Sequence, residues 1–142
     1  MVLSWLRALL RHGPNFEREL VQSAHSGRHI DLASRICAWD LLKSNLTPEQ
    51  ANQLHRTRAF EVIGGATGRR YRIRHGFIFN VDLLSEQGRR VVSFCFRPGG
   101  DLPVGDIMLA QKNALELFEF EALKVANYLR RREYRPVREA RA

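Results

Sequence analysis

The chain is 142 residues long, 44% hydrophobic and carries a formal net charge of +8, which suits one globular domain, about 100 to 200 residues being typical. A pI near 10.5 excludes an acidic surface and points to nucleic acid, an anionic membrane surface or an acidic protein as partner. Of the 23 basic residues 20 are Arg, a skew that suits bidentate phosphate recognition and that GC-rich coding also produces.

The first stretch, M-V-L-S-W-L-R-A-L-L-R-H, holds no apolar run long enough for a signal core or a membrane span, because Arg7 and Arg11 interrupt it. Val2, Trp5, Leu6, Leu9 and Leu10 follow helical spacing and predict a docking helix. Gly13-Pro14-Asn15 ends it, and Asn15 caps a second helix to about residue 24. After a break at Ser26-Gly27-Arg28, Asp31 caps a third, with Leu32, Ile36, Trp39 and Leu42 or Cys37 along one apolar stripe. Residues 1–45 therefore read as a helical appendage. Thr47-Pro48-Glu49-Gln50 is the clearest helix start, with a Thr cap, Pro at the first helical position and Gln three residues after the cap. That helix should end near Thr57.

After Phe60 the pattern alternates. Residues 60–63 predict a strand, Gly64-Gly65-Ala66-Thr67-Gly68 a turn, and 69–75 its hairpin partner. Phe77, Phe79, Val81 and Leu83 share a face of the next strand, and Val92, Phe94 and Phe96 share one of a fourth. Residues 106–132 contain neither Gly nor Pro and predict one long helix. Its Ile107, Ala110, Ala114, Leu117, Phe118, Leu123, Val125 and Leu129 would cover the sheet, with Glu116, Glu119 and Glu121 outside. The expected fold is α+β, in three parts: residues 1–45, a domain over 46–132 with an antiparallel meander of three or four strands under that helix, and a basic tail over 133–142.

The meander has a core face built on Tyr71, Ile73, Phe79, Val81, Phe94 and Phe96. Its other face carries Arg70, Arg72, Arg74, Asn80, Asp82, Ser93 and Arg97. Three guanidinium groups in a row are unfavourable unless solvated or met by anions. From 130 to the end the chain adds six Arg against two Glu, a pattern typical of a solvated arm.

The strings F-E-V-I-G-G-A-T-G-R-R-Y-R-I-R-H-G, Asn80-Val81, C-F-R-P from Cys95, and L-P-V-G-D-I-M-L-A-Q-K-N-A-L-E from Leu102, with the preceding L-T-P-E-Q, resemble a widespread uncharacterised bacterial domain over residues 46–127. The resemblance implies no chemistry.

No catalytic signature accompanies these features. G-G-A-T-G-R-R lacks the Lys of a phosphate-binding loop and leads into a strand, so it reads as a hairpin turn. Cys37 and Cys95 lie 58 positions apart among apolar neighbours and read as buried free thiols of a cytoplasmic protein. His25 and His29 flank Gly27 and lack further ligands, Lys112 and Glu116 read as a helix-surface ion pair, and Asn45-Leu46-Thr47 is a sequon that capping by Thr47 explains. No cofactor or metal is expected.

Two readings follow. In the first, a non-catalytic module binds RNA or DNA through Arg69, Arg70, Arg72, Arg74, Arg89, Arg90, Arg97, Arg130, Arg131, Arg132 and Arg135. The α-β-β-β-α order is analogous to double-stranded RNA-binding domains, whose loop and lysine signatures are absent. In the second, the N-terminal helices with Trp5 and Trp39 dock a protein, and the arginines meet its acidic groups. A continuous basic stripe favours the first. Arginines paired with Asp82, Glu86 or helix carboxylates, beside an exposed apolar helix face, favour the second.

Overall fold

In a computed structural model the chain is described over residues 30–76 and 78–129. The two helices expected before residue 25, Phe77, and the tail with Arg130, Arg131, Arg132 and Arg135 lie outside the described residues. Helix α1 spans Leu32–Ser44, with Asp31 capping it by accepting the Ser34 N–H at 2.8 Å. Helix α2 spans Pro48–Thr57 and opens with a capping box: Thr47 Oγ1 accepts the Gln50 N–H at 3.2 Å, and Gln50 Oε1 accepts the Thr47 N–H at 3.1 Å. Strands β1 (Ala59–Ile63), β2 (Arg70–Arg74), β3 (Val81–Leu84) and β4 (Arg90–Cys95) follow, then α3 (Val104–Leu117), α4 (Glu119–Val125) and β5 (Asn127–Leu129).

The fold is α+β. Its five strands form one sheet in the order β1-β2-β3-β4-β5, antiparallel throughout. Register places Val62, Tyr71, Leu83 and Val92 in one cross-strand row and Phe60, Ile73, Val81, Phe94 and Tyr128 in the next. Apart from Tyr128, which is exposed at the edge of the sheet, these rows build the core face with Leu42, Met108, Ala114, Leu115 and Ala122 from the helices. Helix α1, placed in the appendage by the sequence, packs on α3. At their crossing a Cβ on Gly105 would come within 2.7 Å of the Ala38 carbonyl, so the missing side chain sets the approach.

Four features differ from the sequence reading. The long helix breaks at Phe118 (φ −143°, ψ 45°), and residues 127–129 are a fifth strand. Helix propensity is continuous there, but the break turns Glu119 inward. Glu119 is buried rather than on the outer surface, its carboxylate accepting the Ala66 N–H (2.9 Å), the Thr67 N–H (2.8 Å), the Thr67 hydroxyl (2.5 Å) and the Tyr71 hydroxyl (2.7 Å). A Cβ on Gly64 would overlap that carboxylate, which explains the glycine in this hairpin turn.

Second, Phe79 is half-buried, lies before β3 and takes φ 46°, so the alternation expected through Phe79 fails. The next residue, Asn80, leaves the polar face for the interior. Its amide exchanges hydrogen bonds with that of Gln111 at 2.8 and 2.9 Å and donates to the Arg74 carbonyl at 3.1 Å. Third, α1 buries Ala38 and Leu42, while Leu32, Ile36 and Cys37 are exposed. Fourth, Lys112 pairs with Glu116 at 2.6 Å as expected, but from a buried position.

Candidate functional site

Period-two alternation in β2 puts Tyr71 and Ile73 in the core and Arg70, Arg72 and Arg74 on the opposite face, each side chain about two-fifths exposed. Across four strands that face carries the row Glu61, Arg72, Asp82, Ser93. Glu61 takes Arg70 at 2.7 Å and Arg72 at 3.3 Å. The buried Asp82 binds Arg74 through both oxygens, at 2.8 and 3.2 Å, and accepts the Ser93 hydroxyl at 2.7 Å. Arg74 also donates to the Phe79 carbonyl at 2.6 Å. The arginine row is thus a zipper of ion pairs with two carboxylates set against three guanidinium groups, not a bare cationic stripe.

The remaining expected site residues scatter. Arg69 is half-buried in the β1–β2 turn, where its N–H donates to Thr67 Oγ1 at 3.2 Å. Arg89 and Arg90 are exposed at the β3–β4 hairpin, and Arg97 is half-buried just past β4. From the row on β2, Arg70 reaches that hairpin, its guanidinium donating to the Glu86 carbonyl at 3.5 Å.

The row does border an open cleft of about 740 Å³ lined by Gln53, Thr57, Arg58, Ala59, Phe60, Glu61, Arg72, Arg74 and His75. Arg58, which sequence reasoning missed, is the C-cap of α2 in the left-handed region (φ 56°, ψ 27°). A non-glycine residue there costs on the order of 1 kcal/mol. Its side chain makes no ion pair or hydrogen bond with the described residues. The only sequence signal was the absence of Gly where a capped helix meets a strand.

His75 forms the end of the cleft, and its backbone N–H donates to the Arg58 carbonyl at 2.8 Å. Its ring stacks on Trp39 of α1, with centroids 5.7 Å apart and planes at 7°. Burial, and then the Arg58 charge, hold the His75 pKa below the ordinary imidazole value. By helical spacing Trp39 continues the stripe of Leu32 and Ile36, whose side chains are 69% and 51% exposed. Apolar helix face, aromatic stack and basic cleft are therefore consecutive.

Other polar clusters are structural. Burial pushes the Cys95 thiol up, against the opposing effects of a Phe79 backbone hydrogen bond and the Arg97 charge, so it is a poor nucleophile. Among the described residues no three of His, Cys, Asp and Glu lie close enough to share a metal ion, and no helix is long and apolar enough to cross a membrane. No family model, curated protein or solved structure matches the chain.

Proposed function

We propose that this chain is a non-catalytic protein-interaction module that docks an acidic, amphipathic partner. The observation that carries this reading is the run from the exposed Leu32 and Ile36, through the Trp39–His75 stack, into the cleft of Arg58, Arg72 and Arg74. Apolar residues of a partner would cover α1, and its carboxylates would meet Arg58 and the remaining donors of Arg72 and Arg74. Pairing of the arginine row with Glu61 and Asp82 supports docking over phosphate-backbone binding, since it breaks up the continuous cationic stripe that a run of backbone phosphates needs and leaves donors only locally, at the cleft.

A nucleic-acid reading is favoured by a different set of residues. Arg89 and Arg90 are exposed, and the segment 130–142 holds six Arg against two Glu. RNA or DNA would then be held by hairpin and tail, with the sheet face secondary.

The test is anisotropy of a fluorescent peptide alternating Glu and Leu, titrated with the full chain at low salt. Ile36→Asp and Arg58→Gly should each weaken binding by about tenfold, and salt should weaken it further. No binding at low salt, or equal binding by both variants and wild type, would overturn the docking assignment.

A further inference from the structure

The cleft beside β1 offers far more donors than acceptors. Its one carboxylate, Glu61, is already shared between Arg70 and Arg72. Gln53 Oε1 accepts the Glu61 N–H at 2.8 Å, and the Thr57 hydroxyl lies against the carbonyls of Gln53 and Ala59. Against these stand the guanidinium of Arg58, which makes no ion pair or hydrogen bond among the described residues, and the N–H groups of Arg72 and Arg74 left over from their ion pairs.

We propose that this cleft binds a phosphate monoester, whose three terminal oxygens are taken by Arg58, Arg72 and Arg74. The inference rests on the reading of the cleft as the charged half of the docking surface and names the anion it selects. A monoester brings about two negative charges and three strong acceptor oxygens. A carboxylate has one charge and two oxygens, so it offers the three guanidinium groups less charge and fewer acceptor sites. Glu61 and Asp82 fix Arg72 and Arg74 in place, so their free N–H groups are pre-organised for the ligand. The cleft, about 740 Å³ and open to solvent, has room for a phosphate carried on a larger group. That group is either a free small molecule or a phosphorylated side chain of the docked partner.

The experiment follows the side-chain NMR signals of Arg58 and His75 in the full chain during titration with phenyl phosphate, with succinate as the dicarboxylate comparison. The Glu/Leu peptide with and without one phosphoserine forms the second arm. Phenyl phosphate should bind saturably and more tightly than succinate. Arg58→Gly, which suits the left-handed backbone at that position, should keep the fold and weaken phenyl phosphate binding by about tenfold or more. Arg90→Ala, at the distant hairpin, should bind as wild type. A phosphopeptide that outbinds its unphosphorylated form by tenfold assigns the phosphate to the partner. Equal binding of the two peptides, with phenyl phosphate still bound, assigns it to a free small molecule. If phenyl phosphate binds no better than succinate and phosphoserine adds nothing, the monoester site is refuted. In that event retained binding of the plain peptide leaves the docking reading standing, and its loss refutes both.

Discussion

Asp82 shows how much a single side chain on the polar face depends on its neighbour. It is 2% exposed, and among the described residues its charge is met by Arg74 and the Ser93 hydroxyl. Arg74→Ala strands a buried carboxylate and should destabilise the fold by about 3 kcal/mol, whereas the same substitution in an Asp82→Asn background should cost clearly less. Urea denaturation of the four proteins reads this directly, and equal costs in both backgrounds would contradict the coupling. Glu119 is the second such residue. Burial raises its pKa, but hydrogen bonds from Thr67, Tyr71 and the Thr67 and Ala66 N–H groups more than offset this, leaving it below the ordinary 4.5. A depressed carboxyl stabilises the fold fully above about pH 4.5 and loses that contribution as pH falls through the lower, folded value. Glu119→Gln turns an amide N–H toward the backbone donors, so it should lower stability at pH 7 by about 2 to 4 kcal/mol and flatten the acid limb of the stability profile. A wild-type acid limb retained in Glu119→Gln would assign it to another group. Pairing of the arginines with Asp82 was one alternative the sequence offered, because both lie on one sheet face, whereas the role of Glu119 was not legible, its partners lying 48 to 53 residues away along the chain. Alternation alone sufficed for Arg70, Arg72 and Arg74 to fall on one face, but it is silent about Glu61, which the register of β1 against β2 brings opposite Arg72.

At the level of elements, local signals were read well where they were self-contained. Thr47-Pro48-Glu49-Gln50 forms its capping box, Gly64 to Gly68 makes a hairpin turn, and Phe94 and Tyr71 share the core face. Failures occurred where tertiary contacts override propensity: the helix break at Phe118 is fixed by the inward turn of Glu119, and β5 exists because β4 offers it an edge. Helix α1 misled for a related reason. Its apolar residues occupy more than one side, and α3 covers only the side of Ala38 and Leu42, leaving Leu32 and Ile36 outward. Gln50 has a second task that its capping role concealed. Its Nε2 donates to the Glu61 carbonyl at 2.9 Å, while Gln53 accepts the Glu61 N–H, so α2 closes the outer edge of β1 at its centre. Gln50→Ala loses the capping box and leaves that carbonyl unpaired, so it should cost about 1 to 3 kcal/mol. Hydrogen exchange of the Glu61 amide should accelerate with it if α2 loosens from the edge, and an unchanged rate and stability would show that the helix is held by other contacts.

For the whole molecule, the decisive fact is where the charge resides. Residues 30–129 contain 13 basic and 11 acidic side chains, nearly a balance, whereas residues 130–142 contain six and two. A net charge of +8 therefore says little about residues 30–129, whose arginine row is internally paired. Counterion release makes this measurable, because on duplex DNA each neutralised phosphate contributes about 0.9 to the slope of log affinity against log salt. Replacing Arg70 and Arg72 by Gln, which spares the Arg74–Asp82 pair, should lower that slope by no more than about one unit, since Glu61 already offsets one of their two charges. Removing residues 130–142 should instead lower the slope by several units, up to about five if all six arginines reach phosphates, and with it nearly all affinity for single- or double-stranded DNA and RNA. Binding of the Glu/Leu peptide should survive the truncation because its docking surface lies wholly within residues 32–75. The opposite pattern, a slope that falls by about two units in the Arg70/Arg72 variant and is untouched by loss of the tail, would make the sheet a nucleic-acid surface and the ion pairs a resting arrangement that phosphates displace.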